Sequence, residues 1–289
     1  MIISDFKSSP FPVFNTGNLG NANYSGTATA LYNGYIGTGL NGIPDISLDT
    51  LIGSKWETDG GQILTLVSNS ATALVSGNLV QMIPQVTAFE KMAMTVPTAV
   101  PATAGTYQVY VTNGSTKMNV NQFAGGQLIV AAGTGLGQTL EIASHTAAVA
   151  TTGKITVTLV DPILTTLDAT SVVSFVYPVG KEVVIMPTTP TGLAVGVTVY
   201  PMPASVANTY DGTSGALTVL GTPVYGFVVS HGPVGCLIDN SVTNVGYPLG
   251  PKCATAGCLG IATLTTSPQI AISMQTLTSA QVGAVFMLL

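Results

Sequence analysis

The chain has 289 residues, and only 7% of them are charged, against roughly 25% in an average soluble protein. Its seven lysines, twelve acidic residues and net charge of −5 provide no basic surface for DNA or RNA, so we expect no nucleic-acid partner. Its long uncharged stretches, such as Leu259–Leu289, are broken every few residues by Thr, Ser, Gln or Gly. They exclude a membrane-spanning helix, which needs about 20 consecutive apolar residues, and we expect no membrane partner.

Residues 1–50 differ in composition from the rest of the chain. They are dense in Gly and Asn, carry scattered tyrosines such as Tyr24 and Tyr32, and show no sustained periodicity. We interpret them as an extended N-terminal arm that either orders on assembly or stays disordered. Asp5 and Lys7 interrupt the apolar run that a secretory signal needs, and three cysteines do not make a disulfide framework, so we expect assembly in a reducing cytoplasm.

After Ile52, turn residues recur about every eight to twelve residues, a spacing typical of β-sandwiches and β-barrels. Alternating and β-branched runs predict a first set of strands at residues 62–67, 78–83, 90–95, 106–112, 127–131, 139–143, 154–160 and 172–177. A second set is predicted at residues 181–186, 196–200, 224–230, 234–238 and 282–289. Apart from one short helix allowed around Leu167–Ser171, no window carries a helical apolar stripe, so the predicted fold class is all-β.

Two local motifs invite more specific interpretations. Asn113-Gly114 follows a predicted strand and is the dipeptide typical of a two-residue β-hairpin turn. The glycine-rich segment Gly133–Thr139 (GTGLGQT) resembles a phosphate-binding loop, which needs a following lysine and a helix N-terminus. Gln138 and a strand-like TLEIA follow instead, so we predict a tight hairpin and no cofactor.

The candidate catalytic side chains are few. His145 and His231 each follow a serine, Ser144 and Ser230. Adjacent strand residues face opposite sides, so this spacing does not build a hydrolase triad, and no G-x-S-x-G motif occurs. Four acidic residues lie in contexts where the side chain caps its own turn: Asp161, Asp168, Asp211 and Asp239. We therefore predict no catalytic residue and no enzymatic activity.

The cysteines and the single tryptophan carry the remaining questions. Cys253 and Cys258 are separated by four residues, the upper limit of a zinc-knuckle spacing. Cys236 and His231 do not make a second such pair, so buried thiols are favoured and no metal site is predicted. Trp56 is either an interface anchor or part of the core, and the sequence leaves both open.

Several segments, taken in order, resemble a family of bacteriophage structural proteins, the capsid decoration or cement proteins. Ser54–Gln81 and Gln122–Ala148 carry the Gly-Gly-x-Leu strand and the Gly-Thr-Gly-x-Gly-x-Thr hairpin, and Lys154–Phe175 carries the Asp-Pro…Leu-Asp-x-Thr-Ser close. Tyr225–Asn240 (YGFVVSHGPVGCLIDN) and the last strand pair, Ile270–Leu289, are similar to later parts of the same proteins. The resemblance covers about Leu51 to Leu289.

The resemblance implies a cement protein on the outer surface of the virion, forming a homotrimer and bound to the major capsid protein. It implies no catalytic residues. It also implies a discontinuous β core, a small barrel or sandwich formed by residues 51–97 and 181–289. Residues 98–180 would be an inserted β lobe, because proline- and glycine-marked boundaries are places where chains enter and leave domains.

Three other function classes remain as alternatives. The first is a phage tail-fibre or other receptor-binding β module. The second is an enzyme such as a depolymerase, which would need two carboxylates roughly 5–10 Å apart. The third is a surface-layer protein or adhesin, which the absent secretory signal disfavours. Low charge favours a subunit of a permanent assembly, because obligate interfaces resemble a domain core.

Overall fold

The structure is a computed structural model, and it describes residues 51–90, 92–93, 102–150, 153–239, 242, 244–251, 253–262 and 268–289, together with the strand at 35–36. Antiparallel strands make up its regular structure, and the described residues contain no α-helix, so the predicted all-β class is confirmed. No helix in this part of the chain is long and apolar enough to cross a bilayer. Of the predicted N-terminal arm, only the strand at 35–36 lies within the described residues.

Nineteen strands are present in the described chain. In order they are β1 (Tyr35–Ile36), β2 (Lys55–Glu57), β3 (Ile63–Ser68), β4 (Leu79–Gln81), β5 (Met92–Ala93), β6 (Gln108–Thr112), β7 (Gln127–Ala132), β8 (Thr139–His145), β9 (Lys154–Leu159), β10 (Val172–Val176), β11 (Val184–Ile185), β12 (Ala194–Thr198), β13 (Thr209–Tyr210), β14 (Leu217–Val219), β15 (Tyr225–Leu237), β16 (Pro248–Gly250), β17 (Gly260–Ile261), β18 (Ala271–Ser273) and β19 (Val282–Leu288). A single turn of 3₁₀ helix spans Thr87–Phe89.

The chain divides into two compact units. The first contains the described residues within 1–83, 179–207 and 222–289, and the second contains those within 84–178 and 208–221. The second unit thus begins at Pro84 and not at Thr98, and it takes in a separate stretch that was predicted to belong to the core. That stretch, 208–221, carries β13 and β14, which were not predicted as strands.

The first unit is an eleven-stranded sheet organised around β15. The early part of β15 pairs with β3, from Tyr225 opposite Ser68 onward, and with β12 and β1, while its later part pairs with β19. The prediction of two separate strands at 224–230 and 234–238 was wrong, because the chain runs through as one strand of thirteen residues. Gly232, with φ of +98°, lies at the junction, where an added Cβ would meet the carbonyl oxygen of Gly61 at 2.4 Å.

Trp56 belongs to the core of this unit. Its ring is 5% exposed and meets Phe227 edge-on, with ring centroids 5.2 Å apart. Buried aliphatic side chains from β3, β4, β12, β15 and β19 complete the same cluster. Of the two roles the sequence left open for Trp56, the structure shows the core role.

The second unit contains a six-stranded sheet in the order β5-β10-β7-β8-β9-β6 and a separate two-stranded ribbon, β13-β14. Buried residues alternate along β9, as its Ile/Val/Leu pattern predicts. Its core is aromatic: Phe123 stacks on Tyr177 with centroids 4.3 Å apart and contacts Phe89 at 5.2 Å and Phe175 at 5.3 Å. Aromatic pairs in these geometries stabilise a core by about 0.5–1.5 kcal/mol beyond the area they bury.

Two local predictions in this unit are corrected. Leu167–Ser171 forms a turn and not a helix. Asn113-Gly114 is not a two-residue hairpin: β6 pairs with β9, and neither residue has the positive φ that such a turn requires. Instead, the Asn113 side-chain amide donates to the carbonyl oxygens of Thr116 at 2.9 Å and Val149 at 2.8 Å.

Candidate functional site

The glycine-rich segment Gly133–Thr139 joins β7 to β8 as a hairpin, as predicted. Gly133 has φ of +78°, and an added Cβ would lie 2.0 Å from the carbonyl oxygen of Thr170. The Gln138 side chain accepts hydrogen bonds from the backbone N–H of Leu164 and Thr165 and donates to the Thr165 carbonyl at 2.9 Å. The hairpin loop is therefore held by hydrogen bonds between the Gln138 side chain and the neighbouring turn of the same chain.

Two of the predicted turn carboxylates cap backbone in the expected way. Asp168 accepts hydrogen bonds from the Thr134 hydroxyl at 2.6 Å and from the Thr170 hydroxyl and backbone N–H, and these bonds hold the pKa of Asp168 below its ordinary value. Asp211 accepts from the hydroxyl and backbone N–H of Ser214, which likewise lower its pKa. Each carboxylate stabilises a turn.

The two histidines lie in different environments. His145 is buried, its Nε2 accepts a hydrogen bond from the Phe123 backbone N–H at 2.9 Å, and its Nδ1 lies 3.0 Å from the Thr146 carbonyl. Nδ1 must then carry the proton, so both ring nitrogens are hydrogen-bonded to backbone groups. His231 packs edge-on against Phe286 at 5.2 Å. The His145 imidazole, with both nitrogens bonded to backbone groups, is not placed as the base of a serine nucleophile.

All three cysteines are free and buried, as favoured from sequence. Burial raises the pKa of Cys258 to about 11 and also raises the pKa values of Cys236 and Cys253. Metal binding requires thiolates. Within the described residues, no group of three or more His, Cys, Asp or Glu side chains is arranged to hold a metal ion.

An exposed apolar ribbon in the second unit is the strongest candidate for a functional surface. β14 is exposed along its whole length: Leu217 is 42% exposed, Val219 59%, and the next apolar residue, Leu220, 75%. Among the described strands, β14 pairs only with β13. An exposed apolar strand with an unpaired edge is a template for another chain, because its backbone N–H and C=O groups are available for pairing.

The turn of this ribbon is held in place by the loop after β6. Gly215, with φ of +74°, donates to the carbonyl of Asp211 and accepts a hydrogen bond from the Val120 backbone N–H at 3.1 Å. The Lys117 ammonium donates to the Asp211 carbonyl at 3.1 Å. The loop therefore fixes the ribbon at its turn, and the apolar residues of β14 remain exposed.

A second exposed apolar pair lies beside the Gly133–Thr139 hairpin. Leu136 is 68% exposed and Leu164 is 76% exposed. The Gln138 side chain joins the two turns that carry them, because it bonds both to Gly135 and to Leu164. These two leucines are thus presented together at the hairpin end of the second unit.

The ribbon was not predicted from the sequence. The signal that could have indicated it is the run ALTVL at 216–220, bounded by Gly215 and Gly221, because a short apolar or β-branched run between glycines favours a strand. Asp211 was identified as a turn residue, but its position between two strands was not.

Comparison of the chain with protein families, with curated proteins and with solved structures finds no match.

Proposed function

We propose that the chain is a structural protein of a bacteriophage virion that decorates the outer capsid surface and stabilises it by bridging major capsid subunits. It has no catalytic role and needs no cofactor. Its partners are the major capsid protein and further copies of itself, arranged as a homotrimer.

The observation that carries this proposal is the apolar ribbon. Leu217 and Val219 lie on β14, a strand whose second edge has no partner in the described chain, and Leu220 directly follows this strand. Adding a strand of a capsid subunit to this edge would bury those side chains and satisfy the free backbone groups. Burial of one such side chain contributes about 1.5–3 kcal/mol.

Composition supports the same function. With 7% charged residues, a free monomer would lack the charged surface that usually keeps proteins soluble. A subunit of a permanent assembly covers much of its surface, and symmetry multiplies contacts that are individually weak. The resemblance of the segments between Leu51 and Leu289 to cement proteins points in the same direction.

Binding of the purified protein to expanded capsids that lack it tests this function. We expect binding at a fixed number of copies per capsid, measured by sedimentation and gel densitometry, and a higher temperature of capsid disruption once the sites are filled. Failure to bind capsids at any concentration would contradict the proposal. The mass of the free protein in solution tests the trimer separately.

Substitutions on the ribbon test which surface binds. Val219→Lys places a charge on β14 and Leu220→Lys places one directly after it, and both positions are exposed. We expect each to weaken capsid binding by about ten-fold or more, since burial of one apolar side chain contributes at least that much to binding. Leu193→Lys is the matched control, because Leu193 is 68% exposed but lies in the first unit. Equal effects of all three substitutions would exclude the ribbon as the contact.

A further inference from the structure

The loop between β16 and β17 brings two cysteines together. The Cys253 thiol donates to the carbonyl oxygens of Thr255 at 2.9 Å and of Cys258 at 3.1 Å. The Cys253 sulfur therefore already lies against the backbone of Cys258 in the reduced protein.

The backbone bend between the two cysteines is held by hydrogen bonds to residues outside the loop. Gly257, with φ of +78°, donates its backbone N–H to the carbonyl of Met186 at 2.7 Å and accepts from the backbone N–H of Leu79 at 2.8 Å. On the other side, the backbone N–H of Ala254 donates to the Asp239 carboxylate at 2.7 Å. These bonds hold the loop as a narrow bend with one cysteine at each end.

The three cysteines differ in access to solvent. Cys253 is 9% exposed, Cys258 is 1% exposed and Cys236 is fully buried. Cys236 lies in β15, and the loop passes beside this strand, because Leu259 donates to the carbonyl of Leu237. A small reagent therefore reaches Cys253 first, and Cys258 is the thiol placed to react next.

We propose that Cys253 and Cys258 form a reversible disulfide by exchange with a small disulfide compound, such as oxidised glutathione. The Cys253 thiolate attacks one sulfur of the reagent, which forms a mixed disulfide and releases one thiolate. The Cys258 thiolate then attacks the Cys253 sulfur, which forms the protein disulfide and releases the second thiolate. Two protein thiols are oxidised and one small disulfide is reduced to two thiols, because the two protons lost by the protein thiols are taken up through solvent by the two released thiolates.

This chemistry is slow at neutral pH and faster in alkali. The thiolate is the attacking species, and burial raises the pKa values of both Cys253 and Cys258. We therefore expect the disulfide to form slowly at neutral pH and faster when the protein is held in an oxidising, mildly alkaline medium.

Peptide mapping of the intact protein tests the bond. Lys252 directly precedes Cys253 and no lysine or arginine follows it, so cleavage after lysine leaves Cys253 and Cys258 in one peptide, 253–289, and Cys236 in another, 182–252. The native protein is incubated with oxidised glutathione at about pH 8.5, where thiolate is more abundant, then denatured, alkylated and digested. We expect peptide 253–289 to lose two hydrogen atoms and both alkylation sites, and peptide 182–252 to be alkylated fully. Reduction before alkylation should restore both sites.

Three results would overturn the proposal: alkylation of all three cysteines after long incubation, a cross-link between the two peptides, or a dimer of peptide 253–289. Cys258→Ala supplies a second test, because it should leave Cys253 as a stable mixed disulfide with glutathione. Cys236→Ala should leave the bond within peptide 253–289 unchanged. If Cys236→Ala abolishes that bond while the protein stays folded by circular dichroism, Cys236 is the resolving thiol and the proposed pair is wrong.

Discussion

Asn69 and Asn113 make the same set of hydrogen bonds in different units of the protein. Asn69 donates through its side-chain nitrogen to Thr72 O at 2.9 Å, Pro203 O at 2.7 Å and Met202 O at 3.4 Å. Asn113 donates to Thr116 O, Val149 O and Ala148 O at 2.9, 2.8 and 3.4 Å. Each asparagine directly follows a strand, and the same turn comes six residues later. In that turn the backbone N–H of Val75 donates to the Asn78 side-chain oxygen, and that of Asn119 donates to the Gln122 side-chain oxygen. The two units thus share one way of ending a strand.

Removing either asparagine amide should destabilise the unit that contains it. Asn69→Ala removes the side-chain donor to the Thr72 and Pro203 carbonyls, and Asn113→Ala removes the donor to the Thr116 and Val149 carbonyls. We expect each to lower the free energy of unfolding by about 1–3 kcal/mol. Hydrogen exchange resolves the effect by region, with faster exchange in the first unit for Asn69→Ala and in the second for Asn113→Ala. Ser115→Ala, an exposed position in the same connection, is the control and should change little. A loss of stability no larger than that caused by Ser115→Ala would show that the side-chain amide hydrogen bonds do not stabilise the fold.

Ala280 adopts a backbone conformation that suits glycine better. Its φ is +62°, in the same left-handed region as Gly77 at +81°. We expect Ala280→Gly to stabilise the protein by about 0.5–1 kcal/mol, because relief of left-handed strain exceeds the entropy that glycine adds to the unfolded chain. Thermal unfolding measures the change. Ala204→Gly, exposed and without positive φ, should destabilise instead, and a common sign for both would refute the argument.

His145 should tolerate substitution much less well than His231. His145→Phe keeps a ring in the aromatic core but removes the acceptor of the Phe123 N–H and the donor to the Thr146 carbonyl. We expect a loss of about 1–3 kcal/mol, the usual effect of leaving buried polar groups unpaired. His231→Phe retains the edge contact with Phe286 and should change stability by less than about 1 kcal/mol. Denaturant titration compares them, and equal losses would count against the assigned hydrogen bonds.

Asp168 should stabilise the second unit in a pH-dependent way. Its hydrogen bonds with Thr134 and Thr170 lower its pKa in the folded protein below the ordinary value of 3.8, so the unfolded chain binds a proton more readily. The stabilisation is therefore fully present above the unfolded pKa and is lost as pH falls through the folded pKa. Asp168→Ala should lower the melting temperature at neutral pH, and the difference from wild type should shrink on acidification. Asp161→Ala is the control, and a pH-independent difference at Asp168 would contradict the argument.

Much of the strand content follows from local pattern, because alternation in β6 and β9 reflects one buried and one exposed face. The short strands β16, β17 and β18 could not be predicted in this way, since two or three residues carry no period. Asn113-Gly114 shows a different limit. Its side chain bonds to the carbonyls of Ala148 and Val149, which are distant in sequence, and these bonds override the local preference for a hairpin. The exposed ribbon was missed for a related reason, since exposure of an apolar run is a property of the folded surface.

The position of β15 sets an order in which the protein can be completed during synthesis. Its partners include β3, more than a hundred and fifty residues earlier, and β19, at the end of the described chain. All of the second unit, residues 84–178 and 208–221, precedes β15 in the chain. As a chain leaves the ribosome, domains fold from the N-terminal side. The second unit can therefore fold before β15, the partner strand of β3, has been synthesised. The early strands of the first unit therefore depend on strands that are translated after the second unit, and termination before β19 leaves the later half of β15 without its partner strand.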